Sequence, residues 1–153
     1  MIMLKSAREL AHMRAAGLIL AEVKDRLRVQ VHPGITTKDI DADVEAFIVS
    51  KGAKSAFKGY RGFPATVCVS INEEVVHGIP SAHRRLKEGD IVGLDLGCIV
   101  EGYYADCAFT MAIGEVPTAL VVALLVVLNV VLGTRQELMA RASVDAMSKM
   151  QVP

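Results

Sequence analysis

Apolar residues recur at three- and four-residue steps near the start of the chain, at Leu10, Met13, Gly17, Leu20, Val23 and Leu27. This is the signature of a helix with one apolar face. Ser6 followed by Glu9 has the spacing of a capping box and marks its beginning. The break His32-Pro33-Gly34 ends it. A second helix is predicted from Thr36 or Thr37, with Ile40, Val44, Phe47 and Ile48 on one stripe and a stop at Lys51-Gly52. Beyond Gly52 the period changes to two, with Val67, Val69 and Ile71 alternating with Cys68 and Ser70. Two further strands are predicted, Ile91 to Ile99 and Tyr103 to Ile113, joined by a tight turn near Glu101-Gly102 and preceded by the turn Lys87-Glu88-Gly89-Asp90. A last apolar run, Ala119 to Leu132, is interrupted only by Asn129. Helix, helix, strands, helix predicts a single α+β domain with a mainly antiparallel sheet and no internal repeat.

Composition narrows the classes. Lys plus Arg total 17 against 17 for Asp plus Glu, which argues against a polyanion-coating role, so no nucleic-acid partner is expected. A chain of 153 residues is long enough to bury a core without covalent staples. The three cysteines, Cys68, Cys98 and Cys107, are odd in number and form no CxxC pair, and no signal-peptide pattern precedes them. Free thiols in a reducing cytoplasm are expected. Spanning a bilayer takes about 20 apolar residues, and the Ala119 to Leu132 run falls short, so no membrane span is expected. Apolar nearly all round, that helix needs cover on every side, which predicts self-association, a homodimer through residues 119–132.

Chemistry concentrates at Asp95 and Asp106, each set inside an apolar strand where a charge is costly unless paired or bound to a cation. With a turn of two or four residues, strand partners sum to an odd number. The two positions sum to an odd number as well, so both carboxylates project from one face as direct or diagonal neighbours. Such a pair shares a proton or holds a hard divalent cation; two solvated aspartates on a surface hairpin are the other reading. His77 beside Gly78 reads by itself as a turn histidine, and Cys68 as a buried strand cysteine. His12, His32 and His83 read as structural or solvated, and Arg84-Arg85 as a solvated loop.

The stretch Gly62-Phe63-Pro64-Ala65-Thr66-Val67-Cys68-Val69-Ser70-Ile71-Asn72-Glu73-Glu74-Val75-Val76-His77-Gly78-Ile79-Pro80 resembles the signature of the type I methionine aminopeptidases. Gly89 to Asp95 and Gly102 to Asp106 resemble that family's two metal-aspartate segments, and the likeness fades through Ile113-Gly114-Glu115-Val116, covering about residues 4–116. It implies the N-terminal half of a pita-bread fold, an antiparallel sheet covered by helices. It also implies a cytoplasmic exopeptidase that removes the initiator methionine from new polypeptides with one or two divalent ions, Co, Mn, Fe or Zn. On that resemblance Asp95 is a metal ligand, Asp106 bridges two ions, and His77 hydrogen-bonds the substrate or the tetrahedral intermediate. Cys68, Tyr60 and Phe63 line the slot for the methionine side chain.

The family's remaining ligands, a histidine and two glutamates, come from a C-terminal half together with a second substrate-side histidine. No histidine follows Asp106 here, and Glu115, Glu137 and Asp145 lack the ligand context. An incomplete metal site and an apparently truncated domain are therefore expected, with residues 117–153 a divergent apolar helix and tail. The alternative function is a catalytically incompetent half-domain that acts as a binding or assembly module.

Overall fold

A computed structural model describes residues 4–114, 124–139 and 141. The chain divides into two compact units, 1–114 and 115–153. In the first, helices α1 (Ala7–Gln30) and α2 (Thr37–Ser50) precede strands β1 (Lys54–Ser55), β2 (Val67–Ile71), β3 (Ile91–Val100) and β4 (Tyr103–Ala112), with a 3-10 turn at Tyr60–Gly62. All strand pairs are antiparallel. β1 and β2 share one edge of β3, and β4 takes the other.

Both helix starts are locally determined. The Ser6 hydroxyl accepts from the Glu9 backbone N–H while the Glu9 carboxylate accepts from that of Ser6; Thr36 and Asp39 repeat the arrangement. In the β3–β4 hairpin a two-residue turn places both Glu101 and Gly102 at positive φ, 49° and 82°. This primed turn matches the twist of the strands and sets Val100 opposite Tyr103.

One sheet face packs under the helices. Ala16, Leu20, Val23 and Leu27 of α1 and Ile40, Val44 and Ile48 of α2 bury Val67, Val69, Val92, Leu94, Leu96 and Cys98. The stripe on α1 differs from the expected one at its start. Leu10 is 53% exposed and Met13 38%, whereas the inward positions are Glu9, His12 and Ala16. The reason lies in the hairpin tip. Tyr103 donates its hydroxyl to Glu9 (3.2 Å) and stacks on the His12 ring at 5.4 Å, so polar and aromatic groups fill the place aliphatic ones were expected to occupy. The pair Lys54–Ser55 adds a short strand that no period of two announces.

In the second unit residues 124–139 are helical, and Leu124, Leu125, Val126, Val127, Leu128, Val130, Val131 and Leu132 are all exposed. Residues 119–123 of the apolar run lie outside the described residues. Among the described residues no helix is long and apolar enough to cross a membrane.

Candidate metal and peptide site

The face of the sheet turned away from the helices carries the candidate chemistry. Across β2, β3 and β4 it presents Cys68, Asp95 and Ala108 in one row, with Gly97 and Asp106 in the next. Asp95 faces Ala108 and Asp106 faces Gly97, so the two carboxylates are diagonal neighbours on one side of the hairpin. The parity argument thus holds in its diagonal form.

Burial raises the Asp95 carboxyl above the ordinary carboxylate range, and the charge of Asp106 adds to the effect, as does a hydrogen bond between the two carboxyls; His77 opposes it. The Cys68 thiol, 3% exposed, is pushed up to about 11, first by burial and then by the charges of Asp95 and Asp106. At neutral pH it is a thiol, an apolar and polarizable wall rather than a nucleophile. All three cysteines are free.

The pocket beside this floor is an open cleft of about 620 Å3, lined by Phe57, Tyr60, Arg61, Gly62, Phe63, Pro64, Cys68, His77, Ile79, Asp95 and Asp106. It contains all six residues singled out from the sequence: Tyr60, Phe63, Cys68, His77, Asp95 and Asp106. Phe57 and Ile79 also line it, and nothing in the local pattern named them. A signal for Phe57 did exist, because glycine inside a strand marks a close approach. A Cβ built on Gly97 would stand 2.9 Å from the Phe57 ring, 3.0 Å from Ala56 Cβ and 3.2 Å from the Ala105 carbonyl oxygen. Phe57 meets Phe63 edge to face at 6.5 Å, forming the apolar wall.

His77 reaches the cleft because its neighbour is pinned. Gly78 accepts from the Val69 backbone N–H at 2.8 Å and donates its own to the Ser70 hydroxyl at 3.2 Å. The approach is so close that a Cβ on Gly78 would lie 2.0 Å from the Val69 oxygen. Further along, the Thr37 hydroxyl accepts from the Ser81 N–H (2.8 Å), and Arg84 pairs with Glu74 at 2.5 Å. Arg84 and Arg85 are therefore engaged, the latter with the Gly34 carbonyl at 2.8 Å.

A buried carboxylate on α2 went unread in the sequence. Asp41, 1% exposed, accepts from the backbone N–H groups of Thr66 (2.7 Å) and Val67 (3.3 Å) and from Lys38 Nζ (2.7 Å). It fixes the point where the cleft wall passes into β2, just before Cys68. Its local signal is hidden in Asp39-Ile40-Asp41-Ala42-Asp43, where a cap, a clamp and a partner of Arg26 look alike.

The donor set suits a hard divalent cation in type, two adjacent carboxylates whose repulsion a cation relieves, but it is sparse. Among the described residues no cluster of three or more His, Cys, Asp or Glu is arranged to hold a metal.

These features have relatives. The model of metallopeptidase family M24 matches residues 11–149. The methionine aminopeptidase of Clostridium acetobutylicum is 52% identical over 116 residues, 76% of this chain and 46% of that protein. Methionine aminopeptidase 1 of Bacillus subtilis is 47% identical with the same coverage of each. Among solved structures, the methionine aminopeptidase of Thermotoga maritima superposes with a TM-score of 0.73 at 41% identity, over 75% of this chain and 46% of that one. The chain thus spans about half the length of the relatives it matches, and its architecture is that of the pita-bread fold's first half. On the family match, its extent and the agreement of fold, the chain belongs to metallopeptidase family M24.

Proposed function

We propose that this chain takes part in methionine aminopeptidase chemistry, the metal-dependent hydrolysis of the bond after an N-terminal methionine. The carrying observation is the Asp95–Asp106 diagonal pair beside a cleft walled by Phe57, Phe63, Cys68 and Ile79. A slot of that kind suits a flexible thioether side chain, and a carboxylate pair suits the cation that would sit over the scissile peptide.

In this reading Asp95 and Asp106 would hold the divalent ion or ions, for which Co, Mn, Fe and Zn are the candidates. When bound, the ion supplies Lewis acidity and a water made acidic enough to attack the carbonyl. The chain's own part is positional. Phe57, Tyr60, Phe63 and Cys68 seat the methionine side chain and exclude water from it. His77, held by the Gly78 contacts, offers a ring N–H toward the oxygen on which charge develops. Residues 4–116 form the aminopeptidase-like part, 117–153 a divergent tail, and the substrate is the N-terminal methionine of nascent chains in the cytoplasm. Copies associate through residues 119–132, whose described aliphatic side chains are exposed.

The second reading is a half-domain that binds without cleaving, favoured by a ligand set of two carboxylates among the described residues. Methionine release from a Met-Ala-Ser peptide, with manganese or cobalt, separates the two. The catalytic reading expects release above background by this chain and none by Asp106→Asn. Equal background rates overturn it, and retained binding of the same peptide then selects the second.

A further inference from the structure

His77 is held in an uncommon backbone. Its φ is 61°, in the left-handed region that L side chains rarely take. Glu101 and Asn72 share that region for local reasons. Glu101 turns the hairpin, and the Asn72 amide donates to Asp90 (3.0 Å) and accepts from the Ile91 N–H (3.0 Å). Among the described residues the His77 side chain makes no hydrogen bond of this kind. A left-handed residue that lines a cleft persists where its surroundings impose the conformation.

Those surroundings lie directly below it. Ser70, 5% exposed, stands on the cleft face of β2 opposite Gly93, whose missing side chain leaves the space over the strand free. Gly78 takes that space, so close that a Cβ on it would stand 2.9 Å from the Ser70 Cα. The Ser70 hydroxyl accepts from the Gly78 N–H at 3.2 Å. That N–H belongs to the peptide joining His77 to Gly78. Among the described residues the hydroxyl is the one hydrogen-bond partner found on the two peptides that flank His77. The ends of the loop are held separately. Arg84 donates to the Glu74 carboxylate (2.5 Å) and to the Ile79 carbonyl (3.4 Å), and Glu74 accepts from the Ile71 N–H (2.9 Å). These bonds hold the residues on either side of His77 and leave its own orientation to Ser70.

We propose that Ser70 is the positioning residue of His77: its buried hydroxyl fixes the plane of the His77–Gly78 peptide and so keeps His77 left-handed with its ring in the cleft. The contacts involved lie within residues 69–84, inside the first unit. Without the hydroxyl the Gly78 N–H would be buried with no acceptor, a cost that the peptide escapes by turning toward water. His77 would then relax to an ordinary negative φ and its ring would leave the cleft. The consequence for substrate rests on the reading of His77 as a group that faces the peptide; the geometry does not.

Two measurements on the full chain test this. NMR scalar couplings give the φ of His77, and hydrogen exchange gives the protection of the Gly78 amide. Both a positive φ and a protected amide are expected in the unaltered chain and are expected to be lost in Ser70→Ala, with the amides of Leu20 and Val23 inside α1 as protected as before. If Ser70→Ala loses that α1 protection, Ser70→Cys carries the same test, with a weak acceptor in place of the hydroxyl. Calorimetry of a Met-Ala-Ser peptide, with manganese present, is the second measurement, on Ser70→Ala, His77→Gly and the double variant. Glycine is chosen because it keeps a left-handed backbone while removing the ring. Ser70→Ala is expected to weaken binding about fivefold, the worth of one hydrogen bond, and to add nothing in the His77→Gly background. A His77 φ that stays positive in Ser70→Ala overturns the proposal, and so does an equal loss of affinity with and without the ring. A chain that binds no peptide refutes the reading of His77 as a substrate-facing group, and the couplings and exchange then decide the positioning by themselves.

Discussion

The ring of Phe57 lies where a side chain on Gly97 would have to go, with 2.9 Å between its edge and the position of a Cβ there. The glycine opposite Asp106 is thus the seat of the cleft's aromatic wall. Gly97→Ala should cost about 1–3 kcal/mol by overpacking and turn Phe57 out of its seat. Urea denaturation checks the first, as a lower midpoint at unchanged slope, and weaker binding of a methionyl peptide checks the second. A variant with wild-type values for both would mean that the wall is free to shift.

Asp41 and Lys38 form an ion pair whose members carry different weight. The carboxylate is buried and holds two backbone N–H groups of the cleft wall; the ammonium is half exposed. Asp41→Ala should cost about 1–3 kcal/mol for each buried donor left unsatisfied. Lys38→Ala should cost under about 1 kcal/mol, as for other exposed partners. Comparing the two variants by thermal unfolding tests this order, and equal losses would contradict it.

The raised carboxyl of Asp95 gives a pH signature in metal-free protein. An acid with a native pKa above its unfolded value holds its proton more tightly when folded. Its contribution is therefore most favourable at low pH and is lost as pH rises from the ordinary 3.8 through the raised value. Asp95→Asn should flatten that fall and raise the melting temperature at neutral pH in the presence of a chelator. Added manganese should stabilise the unaltered chain and leave the variant unmoved. A variant less stable than its parent in chelator would refute the repulsion.

Thiol reactivity should follow burial. With Cys68 and Cys98 each pushed up to about 11 by burial foremost, both should resist iodoacetamide at neutral pH in folded protein and react on unfolding. Cys107, partly buried and on the helix-facing side of β4, should react before them. Mass spectrometry over a time course reads the order, and rapid labelling of Cys68 would contradict the burial of its thiol.

Much of this molecule was legible in its sequence, because the features concerned are short-range. Ser6 with Glu9 and Thr36 with Asp39 cap their helices within one turn. Glu101-Gly102 turns the hairpin, and the turn's length sets strand parity, which put Asp95 and Asp106 on one face before any fold was known. The six residues singled out from the sequence line one cleft, since they sit on β2, β3 and β4 or on the segments flanking β2.

Only the tertiary structure decided what lies far apart along the chain. Glu9 and His12 face inward because Tyr103 comes to them from the hairpin tip, a partner no helical period reveals. Asp41 is a clamp rather than another solvated acid of α2 because Thr66 and Val67 arrive with unpaired N–H groups. Phe57 and Ile79 become walls of the cleft only once Gly97 and Gly78 have let their neighbours close. Periodicity and capping act within a few residues and are written in the order of the chain, whereas packing depends on which distant surfaces meet.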